Sequence, residues 1–179
     1  MLRLPFAPLI AACLALMPCV AAQAHDPHAA TADASAGATA APIEIVLPDA
    51  RVVALTDVLL GKVARHALTA TAHGKTSTYE GRDFVEVLKV AGVQPVESLE
   101  GPQLRTLVTV IGRDGYQVVF ALAELDPTIG GRQVMFADRA DGAALDARDG
   151  PWQLVVPEDQ RPARWIRQIA RIVVSNAGS

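Results

Sequence analysis

Asp149-Gly150-Pro151-Trp152-Gln153-Leu154-Val155-Val156-Pro157 is the stretch on which the fold assignment turns. Apart from Gln153, Trp152 to Val156 is apolar. It is bounded by Gly150-Pro151 on one side and Pro157 on the other, as a short buried strand would be. Asp138 to Gly150, just upstream, reads as a polar, Gly-containing connection, and Gln133 to Phe136 as another strand. Downstream the reading divides. Trp165, Ile166, Ile169, Ile172 and Val173 fit a helical stripe, while Ile169 to Val174 equally fits a closing strand.

The same chemistry continues toward the N-terminus. Leu107 to Ile111 is a β-branched run, Arg113-Asp114-Gly115 a hairpin turn, and Tyr116 to Phe120 the returning strand. Ala121 to Leu125 is a short helix closed by Asp126-Pro127. Asp83 can cap a helix that places Phe84, Val87, Leu88 and Ala91 on one face, with Gly92 as its stop. Ala67 to Ala72 and Thr76 to Tyr79 form a hairpin around His73-Gly74-Lys75. Thr56 can cap a short helix through Leu60, and Ile43 to Leu47 is a strand ended by Pro48. Strands mixed with short helices in no regular alternation predict an α+β domain with a mixed β-sheet over 43–174, followed by a tail, 175–179.

The 179 residues carry a formal net charge of −3, which argues against a nucleic-acid partner. Residues 1–24 read as an export signal: Arg3, an apolar run from Leu4 to Val20, then Ala22-Gln23-Ala24 as a small-x-small cleavage site. Pro5, Pro8 and Pro18, and the absence of a basic stop, disfavour a membrane anchor. Cleavage would leave 155 residues in the periplasm or medium, with a net charge of −4 and no membrane attachment. Both cysteines, Cys13 and Cys19, would leave with the signal. The remainder would have no disulfide, no thiolate nucleophile and no thiolate metal ligand. Residues 25–42 are Ala-rich with no aromatic or branched aliphatic side chain up to the Pro42-Ile43 junction, and are expected to form a flexible leader.

Read together, several segments resemble the molybdopterin-binding domain of the sulfite oxidase family of oxidoreductases. Gly150-Pro151 through Pro157, Arg164-Trp165-Ile166-Arg167 and Arg171-Ile172-Val173-Val174 are similar to that family's C-terminal run. Tyr79-Glu80-Gly81 with Phe84 to Val93, and Asp114-Gly115-Tyr116 with Leu122 to Asp126, look like its preceding elements. The resemblance implies a sulfite-oxidase-type α+β fold, favours a strand at the C-terminus, and points to molybdopterin as cofactor. It also implies a molybdenum-ligating cysteine in a loop after a strand like Leu68–Thr71. In that place this chain has the tight turn His73-Gly74-Lys75. Imidazole from His73 is neutral and borderline and does not replace a soft anionic thiolate. Glu158-Asp159-Gln160, where the family often has glycine, would repel a phosphate.

Two constellations could carry binding. Arg161, Arg164 and Arg167, with Arg171 and Trp165, suit an anion site in which guanidinium forks hold phosphate or carboxylate and the indole stacks on a flat ring. The resemblance points to this segment, and to His73 nearby, for cofactor contact. His25 would become the N-terminal residue after cleavage, and its amine and imidazole, with His28, suit copper or zinc. No nucleophile-elbow motif surrounds Ser77, and no carboxylates are spaced as an acid/base couple. The expected function is therefore a small-anion- or pterin-binding or accessory module, whose partner is a small anionic ligand or a protein, without molybdenum–thiolate catalysis. The alternatives are a molybdopterin-dependent oxidoreductase with an unusual ligand set, and an N-terminal copper or zinc binder.

Overall fold

The computed structural model describes residues 42–178. The predicted export signal, nearly all of the predicted leader, and the candidate metal ligands His25 and His28 lie outside the described residues. Ten strands divide between two sheets. The first contains β1 (Ile43–Val46), β2 (Val52–Leu55), β5 (Thr106–Gly112), β6 (Gln117–Ala121) and β10 (Ile169–Asn176), in the order β2-β1-β10-β5-β6. It is mixed, because β1 pairs in parallel with β10 while its other neighbours are antiparallel. The second contains β3 (Arg65–Ala72), β4 (Lys75–Asp83), β7 (Met135–Ala140) and β8 (Ala143–Ala144), with β9 (Gln153–Val155) paired to β7. The α+β class is as the sequence predicts, with the strands shared between a mixed and an antiparallel sheet.

Local signals placed most elements. Thr56 accepts a hydrogen bond from Leu59 N and starts α1 (Asp57–Leu60). Asp83 accepts from Val85 N and starts α2 (Phe84–Val90), which buries Phe84, Val87 and Leu88. A third helix, α3 (Leu122–Leu125), follows β6 directly. His73 and Gly74 both have positive φ (51° and 79°), so β3 and β4 are joined by a two-residue turn whose twist matches the strands.

The C-terminal ambiguity resolves as a strand. β10 lies between β1 and β5, both flanks hydrogen-bonded, and Ile169, Ile172 and Val174 are buried. Alternation with one bulge at the strand's start, after Ile169, serves this position better than a helical stripe. The expectation of a structureless connection from Asp138 to Gly150 needs correction. β7 continues to Ala140 and turns at Asp141-Gly142 into β8. Its polar residues are held across the sheet: Asp138 receives a two-pronged hydrogen bond from Arg65, at 2.7 and 2.8 Å. β2, whose residues suggested no element, is an edge strand folded back on β1 after the turn at Pro48–Arg51.

The aromatic core joins elements of both sheets. Phe120 of β6 meets Phe84 of α2 edge-on at 6.3 Å, Phe84 stacks on Phe136 of β7 at 6.4 Å, and Phe136 stacks on Trp152 at 4.5 Å. All three phenylalanines are fully buried. This ladder anchors β7 and the start of β9, and so sets the wall from which the cleft is built.

Candidate ligand cleft

The largest cleft among the described residues encloses about 710 Å³, within the size range of small-molecule sites. One wall is β4. Lys75, Ser77 and Tyr79 alternate along it, so all three line the cleft from one face of the strand. Gln153 of β9 lies on the inner lining, 6% exposed. The opposite side comes from the β5–β6 turn, with Asp114 and Tyr116, and from the segment Pro162–Arg167. The phenol of Tyr116 donates to Ala163 O at 2.9 Å and ties these two pieces together.

Charge on the rim is largely matched. Lys75 Nζ lies 3.2 Å from Asp141, and Arg167 Nη1 lies 3.1 Å from Asp149, which Arg148 also approaches at 4.0 Å. Asp141 accepts from Thr78 N at 2.9 Å, and this N–H, with Lys75 and the Ser77 hydroxyl, holds its carboxyl below the usual range. Asp114 and Asp146 accept backbone N–H groups of their own turns. Burial, reinforced by the charge of Asp149, pushes the Tyr79 phenol up, so it stays protonated as a donor.

Gln153 differs from these neighbours. Its backbone belongs to the β9–β7 ladder, but its side-chain carboxamide, whose polar atoms reach the cleft, makes no hydrogen bond to any described residue. A polar side chain so deeply buried is normally satisfied. Here both its N–H donors and its carbonyl acceptor remain open at the cleft lining.

The predicted site residues are distributed as follows. His73, Trp165 and Arg167 line the cleft. Trp165 is 5% exposed, meets Tyr79 edge-on at 5.6 Å and spends its indole N–H on Val156 O at 2.8 Å. It is a wall, with almost no free face for stacking. Arg164 lies outside the lining. Its guanidinium grips Asp159 through two hydrogen bonds of 2.6 and 2.9 Å, reaches Glu124 at 3.3 Å, and sits 4.7 Å over the Phe120 ring. Arg132 completes this cluster through Glu124, Asp159 and Glu158 at 3.0, 3.4 and 3.6 Å. The Asp159 hydrogen bonds raise the Arg164 pKa. Arg161 is exposed and outside the lining, and Arg171 pairs with Glu44 at 3.5 Å on the neighbouring strand. Sequence reasoning missed Gln153, Tyr79 and Asp141. Two signals pointed to Tyr79 and Gln153, alternation along 75–79 and one amide inside an otherwise apolar strand, and none pointed to Asp141.

Comparison with known proteins adds the fold. No protein-family model and no curated protein matches the chain. Among solved structures, the chain is similar to the sulfane dehydrogenase SoxCD from Paracoccus pantotrophus, with a TM-score of 0.56 and 18% identity. The match covers 77% of this chain and 39% of that one, so this chain spans about two fifths of its structural neighbour. The likeness places the protein in the same α+β fold as that enzyme.

The cleft's side chains can be tested against a molybdenum–pterin group. The donor set does not fit the metal. Residues 42–178 contain no cysteine, and among the described residues no three His, Cys, Asp or Glu side chains converge as a metal site. The position after β3 is a two-residue turn without room for a ligand loop. The volume and the open amide of Gln153 suit an organic ring instead.

Proposed function

We propose that the protein is a ligand-binding or accessory module on a molybdoenzyme-type fold, one that takes a small organic molecule in the cleft and performs no molybdenum–thiolate catalysis. The observation that carries this reading is the unpaired Gln153 carboxamide inside a cleft of about 710 Å³. With no protein partner, both its donor and its acceptor face the cleft and are free to meet a ligand. Pterin is one ring system of the right size and polarity, and the resemblance to the sulfite oxidase family favours it as a first probe. The apolar segment 1–24 supports export to the periplasm or medium, and the N-terminal sequence of the purified protein checks it.

Metal analysis tests the proposal. Protein purified from the cells that make it should contain molybdenum far below one atom per chain, and should bind a small heterocycle in titration calorimetry. Stoichiometric molybdenum, with turnover on a sulfur oxyanion or a sulfoxide, would replace the module by an enzyme with an unusual ligand set. The likeness to sulfane dehydrogenase SoxCD is the observation that keeps this second reading worth the measurement.

A further inference from the structure

We infer that Gln153 is the specificity-determining group of the cleft, and that it selects an uncharged ring with a lactam edge, an adjacent N–H and C=O, over phosphate or another small anion. The inference rests on the cleft being a binding site and adds the chemistry of its occupant.

Three observations lead to it. First, the carboxamide of Gln153 offers a donor and an acceptor side by side, 6% exposed and without a side-chain partner. A planar lactam presents the complementary pair and satisfies both at once. Sites built around buried polar groups reject ligands that leave those groups unpaired. Second, the cationic groups near the cleft are mostly drawn to carboxylates already, Arg148 the most loosely, 4.0 Å from Asp149. Arg167 is held by Asp149, Lys75 by Asp141, and Arg164 is locked to Asp159 outside the lining. A phosphate would have to displace carboxylates to gain any of them. Third, Trp165 closes the cleft behind Tyr79 and leaves its own faces covered. An incoming ring is then oriented chiefly by edge recognition.

The test is calorimetric titration of the full chain with four probes: pterin, uracil, 3-methylpterin and inorganic phosphate. In 3-methylpterin the lactam nitrogen carries a methyl group and cannot donate. Gln153→Leu and Gln153→Glu are titrated beside the native protein, with thermal melts to verify folding. The expected result is binding of pterin, uracil or both, tenfold or greater weakening for 3-methylpterin, the same loss in Gln153→Leu, and no heat with phosphate. The melting temperature of Gln153→Leu should stay within a few degrees of native, because the carboxamide has no protein hydrogen bond to lose. Pterin and uracil separate a bicyclic from a monocyclic ligand. Equal affinity of pterin for native and Gln153→Leu protein would overturn the role of Gln153 and leave the binding module standing. Phosphate binding that competes with pterin would overturn the selectivity. Absence of binding by every probe to a folded native protein would overturn the inference and the cleft reading together.

Discussion

Arg164 and Arg167 stand on the same short segment and have opposite environments. Arg164 turns into a half-buried cluster in which Asp159, Glu124, Glu158 and Arg132 close on one another over the Phe120 ring. Arg167 turns to the cleft, where its contact with Asp149 is partly exposed to water. The two side chains have the same charge and the same hydrogen-bonding fork. The difference lies in how many carboxylates the rest of the fold delivers, and in how much water is left. A half-buried, mutually satisfied cluster is structural, whereas a rim pair in water is weak and replaceable. On the cleft side the most deeply set group left without a protein partner is Gln153, and the proposed binding chemistry rests on it.

The contrast can be broken most severely at the junction of β4 and β7. A Cβ on Gly81 would lie 2.2 Å from Phe136 O and 2.7 Å from Ala137 Cα. Gly81→Val should cost about 3 kcal/mol or more. It should reduce the urea midpoint sharply and destroy the cleft wall while leaving every member of the ion cluster in the sequence. A near-native midpoint would mean that the two strands are not packed as described.

Next in size is Arg164→Ala. It strands Asp159 and Glu124 and uncovers Phe120, at a cost of about 2 kcal/mol. The melting temperature should fall by about 6 °C while ligand binding to the folded protein stays unchanged. Loss of binding at unchanged stability would return Arg164 to the cleft.

Acid sensitivity sharpens the same side of the molecule. Asp126 ends α3, the helix that carries Glu124. Burial alone would push its carboxyl up, but the N–H groups of Leu99 (2.8 Å) and Thr128 (2.7 Å) and the Thr128 hydroxyl hold it below the usual range. A depressed native pKa gives stability that is present above the unfolded-state pKa, near 3.9, and is lost as pH falls through the native value. Asp126→Asn should be less stable than the native protein at neutral pH, with the gap closing on acidification. A pH-independent gap in the melting temperatures would contradict the assignment.

The smallest effect belongs to Arg167→Ala. Stability should move by no more than about 0.5 kcal/mol, as for other exposed pairs, and a lactam probe should bind within about twofold of native affinity, a change of about 0.4 kcal/mol. A large loss would make Arg167 a ligand contact and weaken the contrast.

Much of the fold was legible in the sequence because its causes are local. The α2 stripe, the Thr56 and Asp83 caps, the His73-Gly74 turn and the β5–β6 hairpin each depend on residues within a turn or a strand of one another. β8, the extension of β7 and the strand identity of β10 were less legible. Each depends on a neighbour distant in the chain, such as Arg65 for Asp138 or Thr106–Gly112 for β10. The site was harder still. The Arg161–Arg171 run looked like one basic cluster, yet Arg161 is exposed while Arg164, Arg167 and Arg171 meet different carboxylates, and Glu124 reaches Arg164 across 40 positions of sequence.

By itself the sequence determined which chemistries are open to residues 42–178: without cysteine there, none of these residues can offer a thiolate to a metal whatever the fold. It also determined the short elements, whose hydrogen bonds close within a few residues. Only the tertiary structure decided that Arg164, Arg167 and Arg171 would meet carboxylates and that the Gln153 carboxamide would face a cleft without a protein partner. Pairing and burial are properties of groups brought together from far along the chain, and no local pattern encodes which of them will meet.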